Sequence, residues 1–509
     1  MAETQPLLRK KSMLNGKLAL TTLVTCLGSI QYGYHIAELN APQQVLSCAK
    51  EKIPWFDVPF RHTWLGRHGF SECIPLTEEE IGLATSIFSI GGLLGSLYAG
   101  RLADQYGRKR FTYATCALGA LGSAVLFQAN SFWELVAGRC IVGISCGSAI
   151  VVTPLFINEI SPNALRGSLG SMNQVCINVG ILLTQTLALW WADSYRWRWL
   201  LFAGVVIALV NIALLSMIGE SPIWLASRGD LESADSILCE LRGGDMVQSR
   251  LEIDQWLTAR GTSREDTLRV IHASGSSSTR RSYPPASNAS SQSQPSDESL
   301  SLFEYFKDSR FTESRRAITM ILMGQQFCGI NSIVFYGVKV ISGSLPDQAI
   351  TVNFAISLMN VIVTFGASFF IDRWGRRPLL MLSTAAMTIS TVLISVGIIE
   401  SNAVLLVAFT LTYVAFFAMG LGPIPFLVIS ELSPHAVAGV AQSYGVACNW
   451  IATFAVGYSF PILHSFMQGY VFLVFAVVSA AFATYVYYYI PETKGKSYKD
   501  VWTGRYRSA

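Results

Sequence analysis

Twelve stretches of this chain are apolar over close to the ~20 residues a helix needs to cross a bilayer. They cover 16–38, 80–100, 111–128, 133–157, 169–191 and 199–218, then 316–343, 348–371, 378–399, 403–430, 438–462 and 468–490. A polar interval, 219–315, separates the two sets of six. From Ser221 to Trp256 it has helical spacing with charge on several faces, which predicts short helices in water. Residues 274–299 read SGSSSTRRSYPPASNASSQSQPSDES, too poor in apolar side chains to order themselves. The pattern predicts an all-α membrane protein with twelve transmembrane helices. Its parts are a tail (1–15), a six-helix bundle (16–218), the polar interval with its Ser-rich linker, a second six-helix bundle (316–490) and a second tail (491–509).

Composition narrows the class. Hydrophobic residues make up 51% of the chain and charged residues 14%, against roughly 25% charged in a soluble domain. A 509-residue soluble enzyme, a disordered scaffold and a secreted disulfide protein are disfavoured, and a net charge of +4 is too small to indicate nucleic acid. The first run, with Gln31, His35 and Glu38, is too long and too polar for a cleaved leader. Lys and Arg gather before run 1 and after runs 2, 8 and 12, whereas 129–132 and 463–467 hold none, which predicts both termini cytoplasmic. Of the ten cysteines, Cys48 and Cys73 alone fall in the outward loop between runs 1 and 2. An oxidising compartment favours joining them, the alternative being two free thiols. Gly143-Ile144-Ser145-Cys146-Gly147 fits G-x-S-x-G, but mid-span it reads as helix packing, not as a nucleophile turn. No phosphate-binding G-x-x-x-x-G-K-[ST] loop occurs. The sequence therefore predicts no catalytic residue, metal or cofactor.

The two halves repeat each other at an offset of about 270 residues. Asp104 to Lys109 (DQYGRK) matches Asp372 to Arg377 (DRWGRR), Glu159-Ile160-Ser161-Pro162 matches Glu431-Leu432-Ser433-Pro434, and Glu220-Ser221 matches Glu492-Thr493. Parallel repeats of six spans are an architecture of alternating-access carriers, with the site at mid-membrane between the halves. These motifs, with Gln325-Gln326-Phe327-Cys328-Gly329-Ile330-Asn331, Gly422-Pro423-Ile424-Pro425 and Pro491-Glu492-Thr493-Lys494-Gly495, resemble the sugar porter family of the major facilitator superfamily. The resemblance covers nearly the whole chain outside the first ~15 residues and the Ser-rich insert.

A hexose is neutral and covered in hydroxyls, so its site needs amides that donate and accept beside an apolar wall. The resemblance implies such contacts at Gln174, Gln325, Gln326, Asn331 and Asn360. Ile177, Phe426 and Asn449 complete the expected substrate-binding set. Phe426 stands where the family often has Trp, Ala418 where it often has Glu, and Thr453 where it often has Asn, so the resemblance implies a sugar without specifying glucose. Gly422, Pro423 and Pro425 read as a hinge, because Pro removes backbone hydrogen bonds.

Span 1 carries the least usual chemistry. His35 takes the place of a family Asn or Asp, Glu38 lies one turn on, and Arg139 matches an Arg that neighbours this position in proton-coupled relatives. Two readings stand. One is proton coupling or pH gating at His35, Glu38 and Arg139. The other is a neutral His bonded near the lumenal mouth, with Glu38 in water. Arg101, Asp104, Arg108, Glu159, Arg166, Glu220, Asp372, Arg376, Glu431 and Glu492 are expected, by the resemblance, to form a cytoplasmic salt-bridge network that latches the outward-facing state. Ala438 stands opposite Arg166 in the repeat, leaving His435 as the nearby cation, which predicts a looser latch in the second half.

At the N-terminus, Glu3, Leu7 and Leu8 fit the acidic dileucine pattern that resembles vacuolar, lysosomal or endosomal sorting signals read by adaptors. The expected protein is a monomeric carrier of a monosaccharide, a hexose, by uniport or with protons. Its expected partners are the sugar, the lipid bilayer and sorting adaptors, and its expected site an endomembrane, with the plasma membrane as alternative. A non-transporting sugar sensor is the rival; only thirteen residues after Lys496 weigh against it.

Overall fold

The computed structural model describes residues 15–50, 59–162, 165–259, 302–434, 437–496 and 498–503. Twelve long helical units follow the twelve apolar runs. In the first half these are α1 (Gly16–Ala37), α2 (Glu78–Tyr106), α3 (Arg108–Gln128), α4 (Phe132–Ile160), α5 (Arg166–Trp191) and α6 (Trp197–Leu215). In the second half α7 is broken into Thr312–Phe327 and Ile330–Ser342, followed by α8 (Ala349–Trp374) and α9 (Arg376–Ile399). Then come α10, broken into Ala403–Phe416 and Ile424–Glu431 around a π-turn at Phe417–Leu421, α11 (Ala438–Met467) and α12 (Val471–Tyr489). By length and apolarity ten stretches of described helix can cross a membrane, one of them, Gly439–Tyr489, containing both α11 and α12. The polar residues Gln31, Tyr34 and His35 keep α1 below that threshold, yet it packs inside the first bundle like the rest.

Local chemistry sets the helix ends. Thr77 with Glu80 and Ser131 with Glu134 form reciprocal capping boxes that start α2 and α4. Single glycines, Gly107 (φ 99°) and Gly375 (φ 92°), separate α2 from α3 and α8 from α9, a left-handed turn that a side chain would strain. Where α4 crosses α2, a Cβ at Gly147 would lie 2.0 Å from the Gly92 carbonyl oxygen and one at Gly143 2.3 Å from that of Phe88. The G-x-S-x-G pattern therefore serves close helix contact.

In the polar interval, Pro222–Ser227, Leu231–Leu241 and Met246–Ala259 are short helices gathered on a small core of Ala226, Leu231, Ala234, Leu238, Ile253 and Leu257. The Ser-rich linker, His435, and Glu3, Leu7 and Leu8 lie outside the described residues, as does the side chain of Asp372. Cys48 and Cys73 are joined by a disulfide, with their Cα atoms 5.3 Å apart. This marks one end of the bundle; the Arg108 and Arg376 motifs mark the other, the basic end.

Candidate functional site

The halves meet mainly where α2 packs on α11 and α5 on α8. Between them, near mid-bundle, lies a cavity of about 100 Å³. Gln174, Ile177, Gln325, Gln326, Asn331, Asn360, Phe426 and Asn449 all line it. The sequence reading missed Asn178 and Gln185 on α5, Asn353 on α8, and Asn40 beyond the end of α1, which also line it. On α5 the signal was present, since 174, 177, 178, 181 and 185 recur at helical spacing on one face.

The amides divide into engaged and unengaged groups. Gln325 donates through Nε2 to the carbonyls of Leu421 (2.7 Å) and Gly422 (3.1 Å) and accepts at Oε1 from Asn449 Nδ2 (2.9 Å). Pro425 has no N–H to give Leu421, its partner one turn back, so Gln325 fills an acceptor that the hinge leaves open. Gly422 N–H instead reaches back to Phe417 O at 2.8 Å, closing the π-turn. Asn331 Nδ2 donates to Gln326 Oε1 at 2.5 Å, bridging the break in α7 at Gly329 (φ 98°). Gln185, 1% exposed, has neither amide atom partnered among the described residues. Pro423 and Pro425 sit at the hinge but not on the cavity wall.

His35, Glu38 and Arg139 come together away from that cavity, each 0% exposed. Glu38 accepts from His35 Nδ1 at 2.8 Å and from Arg139 Nη1 at 2.7 Å, one bond to each carboxylate oxygen. Arg139 also donates to His35 O (2.8 Å), and its guanidinium stands 4.5 Å from the centre of the Phe88 ring. Glu38 is thus not in water, which corrects that part of the neutral-His reading; Arg139 compensates its burial. Among the described residues His35 Nε2 has no hydrogen-bond partner, and neither does Ser123 Oγ. Both face Gly204, where a Cβ would lie 2.7 Å from Ser123 Oγ and 3.3 Å from His35 Nε2.

At the basic end the repeat becomes chemistry. Arg108 pairs with Glu159 (2.7 Å) and Asp104 (2.8 Å), and Arg376 pairs with Glu431 (2.8 Å). Ser221 and Thr493 hydroxyls donate to the second oxygens of Glu159 and Glu431. Glu220 accepts from Lys109 N (2.9 Å), and Glu492 from the backbone N of Arg376 and Arg377 (3.0 Å each). Glu220 and Glu492 therefore cap the positive ends of α3 and α9. Burial pushes the Glu492 carboxyl up, but the N–H groups of Lys494, Arg376, Arg377 and Thr493 outweigh it and hold it below the usual carboxylate range. These pairs staple helices within one half. Arg101 and Arg166 are exposed and make no ion pair among the described residues. Among the described residues, these charges form no ion pair that joins the two halves.

Contacts between the halves lie instead at mid-bundle and toward the disulfide end. Asn40 donates to Val334 O (2.8 Å) and accepts from Val338 N (3.0 Å), Gln44 Nε2 donates to Ser342 Oγ (2.9 Å), and Glu78 pairs with Lys339. Deeper in, Trp450 of α11 packs edge-on to Tyr32 and Phe88. The disulfide end is the closed one.

Comparison with known proteins agrees with this architecture. Residues 21–503 match the family described as sugar (and other) transporter. A probable metabolite transport protein of Saccharomyces cerevisiae is 52% identical, over 99% of this chain and 100% of the relative. The same yeast's vacuolar protein sorting-associated protein 73 is 43% identical over 96% of each chain. Among solved structures, the major facilitator superfamily proton:xylose symporter XylE bound to 6-bromo-6-deoxy-D-glucose superposes with a TM-score of 0.69 at 22% identity, covering 96% of this chain and 98% of that one. The chain belongs to the sugar (and other) transporter family, as a multi-pass membrane carrier of the major facilitator fold.

Proposed function

We propose that this carrier moves a monosaccharide, a hexose, across an endomembrane by alternating access, residues 16–218 rocking against 316–490. The observation that carries the reading is the cavity between the halves, walled by neutral amides from both with Ile177 and Phe426 as its apolar side. That wall suits a neutral polyol and offers no fixed charge to an ionic solute. Glu38, buried between His35 and Arg139, supports the further reading that sugar moves with protons, His35 Nε2 being the exchanging atom. The excess of Lys and Arg at the basic end supports a cytoplasmic location for that end and for both termini. The name of the vacuolar sorting-associated relative and the dileucine of Glu3, Leu7 and Leu8 support a vacuolar or neighbouring membrane.

Uptake of labelled hexose by vesicles holding the purified protein, with and without a pH gradient, tests this. Saturable uptake supports the carrier, and concentration of sugar driven by the gradient supports the proton link. Binding without flux would replace the carrier by a sensor.

A further inference from the structure

One contact in the cavity joins the two halves through groups that a sugar also needs. Asn178, on α5 of the first half, donates its Nδ2 hydrogens to Thr364 Oγ1 (2.7 Å) and Asn360 Oδ1 (3.3 Å), both on α8 of the second half. Thr364 Oγ1 in turn donates to Asn360 Oδ1 at 3.3 Å. All three residues are buried, at 5%, 3% and 8% exposure for Asn178, Thr364 and Asn360. The expected sugar contact Asn360 thus has its acceptor oxygen occupied by two protein donors.

We propose that Asn178 is a specificity-determining residue of the sugar site, holding the Asn360 acceptor in the empty carrier and yielding it to a substrate hydroxyl. This rests on the sugar reading above. The argument is one of unpaired groups. When the halves swing and α5 draws away from α8, the Asn178 amide, 5% exposed here, loses both acceptors, and an orphaned buried polar group is costly. A bound hexose can supply the missing partners, because one hydroxyl both donates to Asn360 and accepts from Asn178. A solute with an apolar group at that position cannot. Occupancy by the right polyol therefore lowers the barrier to reorientation, and the same contact discriminates among sugars.

The test uses the full-length protein in vesicles and a series of singly deoxygenated glucoses. In the wild type, equilibrium exchange should run faster than net flux, which requires the empty carrier to return. One monodeoxy analogue should lose roughly tenfold in exchange efficiency, the scale of one unpaired buried group. Asn178→Val should bring the exchange-to-net ratio toward one and shrink that analogue's loss below about threefold. Thr364→Val, which removes one acceptor and leaves Asn360 in place, should move both readouts the same way and covers the case in which Asn178→Val does not fold. Asn178→Thr, which keeps a hydroxyl donor, should partly restore discrimination. A wild type that moves no hexose overturns the sugar reading and this proposal with it. A wild type that moves glucose, with both Val variants unchanged in ratio and analogue profile, overturns this proposal alone.

Discussion

Replacing Gln325 by Leu separates a strut from a ligand contact. Gln325 is 2% exposed, and its amide makes bonds to Leu421 O, Gly422 O and Asn449 Nδ2. Leucine has a similar shape and makes none of them. Because Pro425 offers no N–H, Leu421 O is then orphaned, and Asn449 keeps only a long bond to Leu322 O at 3.4 Å. Interhelical hydrogen bonds in membrane proteins are individually weak, ~0.6 kcal/mol on average. A buried group left without a partner costs more, ~1–3 kcal/mol. Leu421 O orphaned outright and Asn449 left with only its long bond together give about 2–4 kcal/mol. At ~2.1 cal/mol/K per residue of unfolding entropy this lowers the melting midpoint of a chain this long by about 2–4 °C.

The assay is thermal unfolding of purified protein in detergent, without and with glucose, alongside Gln174→Leu. Gln174 lines the same cavity, and no hydrogen bond holds its side chain among the described residues. Its variant should melt within about 0.5 kcal/mol of wild type but lose the shift produced by sugar. Gln325→Leu should be destabilised even with no sugar present. If Gln325→Leu melts like the wild type in the absence of sugar and only the sugar-dependent shift disappears, the assignment of Gln325 to the hinge is wrong.

Three further outcomes follow from the same geometry. Glu492 is held below its ordinary value in the folded state, so its contribution is present above the unfolded carboxylate range and lost as pH falls through the folded value; Glu492→Gln should lower the melting midpoint at pH 7 and flatten its fall between about pH 5 and 3. Arg139→Met leaves the Glu38 carboxylate buried without its cation and should cost about 3–5 kcal/mol, most of it recovered when Glu38→Gln is added, as read from melting of both variants. Lys339→Met breaks a half-exposed pair worth ~0–1 kcal/mol, so it should leave stability nearly unchanged yet raise labelling of a cysteine placed at Ser342; unchanged labelling would show that the pair does not help close the disulfide end.

The fold was legible because bilayer spans and a repeated set of loop motifs are written in residue type alone. The roles of individual residues were legible only where they depend on near neighbours. His35 and Glu38, three apart on one helix, could be placed on a common face, but that Phe88 and Arg139 seal Glu38 from water depends on how α2 and α4 close over α1. Glu220 and Glu492 looked like partners for arginines, and became helix caps because Gly107 and Gly375 end one helix one residue before the next begins. The amides of the cavity make the point most sharply. Gln325, Gln326, Gln174 and Asn178 are interchangeable by composition and spacing, and nothing local says which serve the protein and which serve a ligand. That division is imposed by distant partners. Pro425 leaves open a carbonyl that claims Gln325, Asn331 claims Gln326, and α8 claims Asn178. A motif can therefore name the amides of such a site while the helices packed around them decide which remain for the sugar.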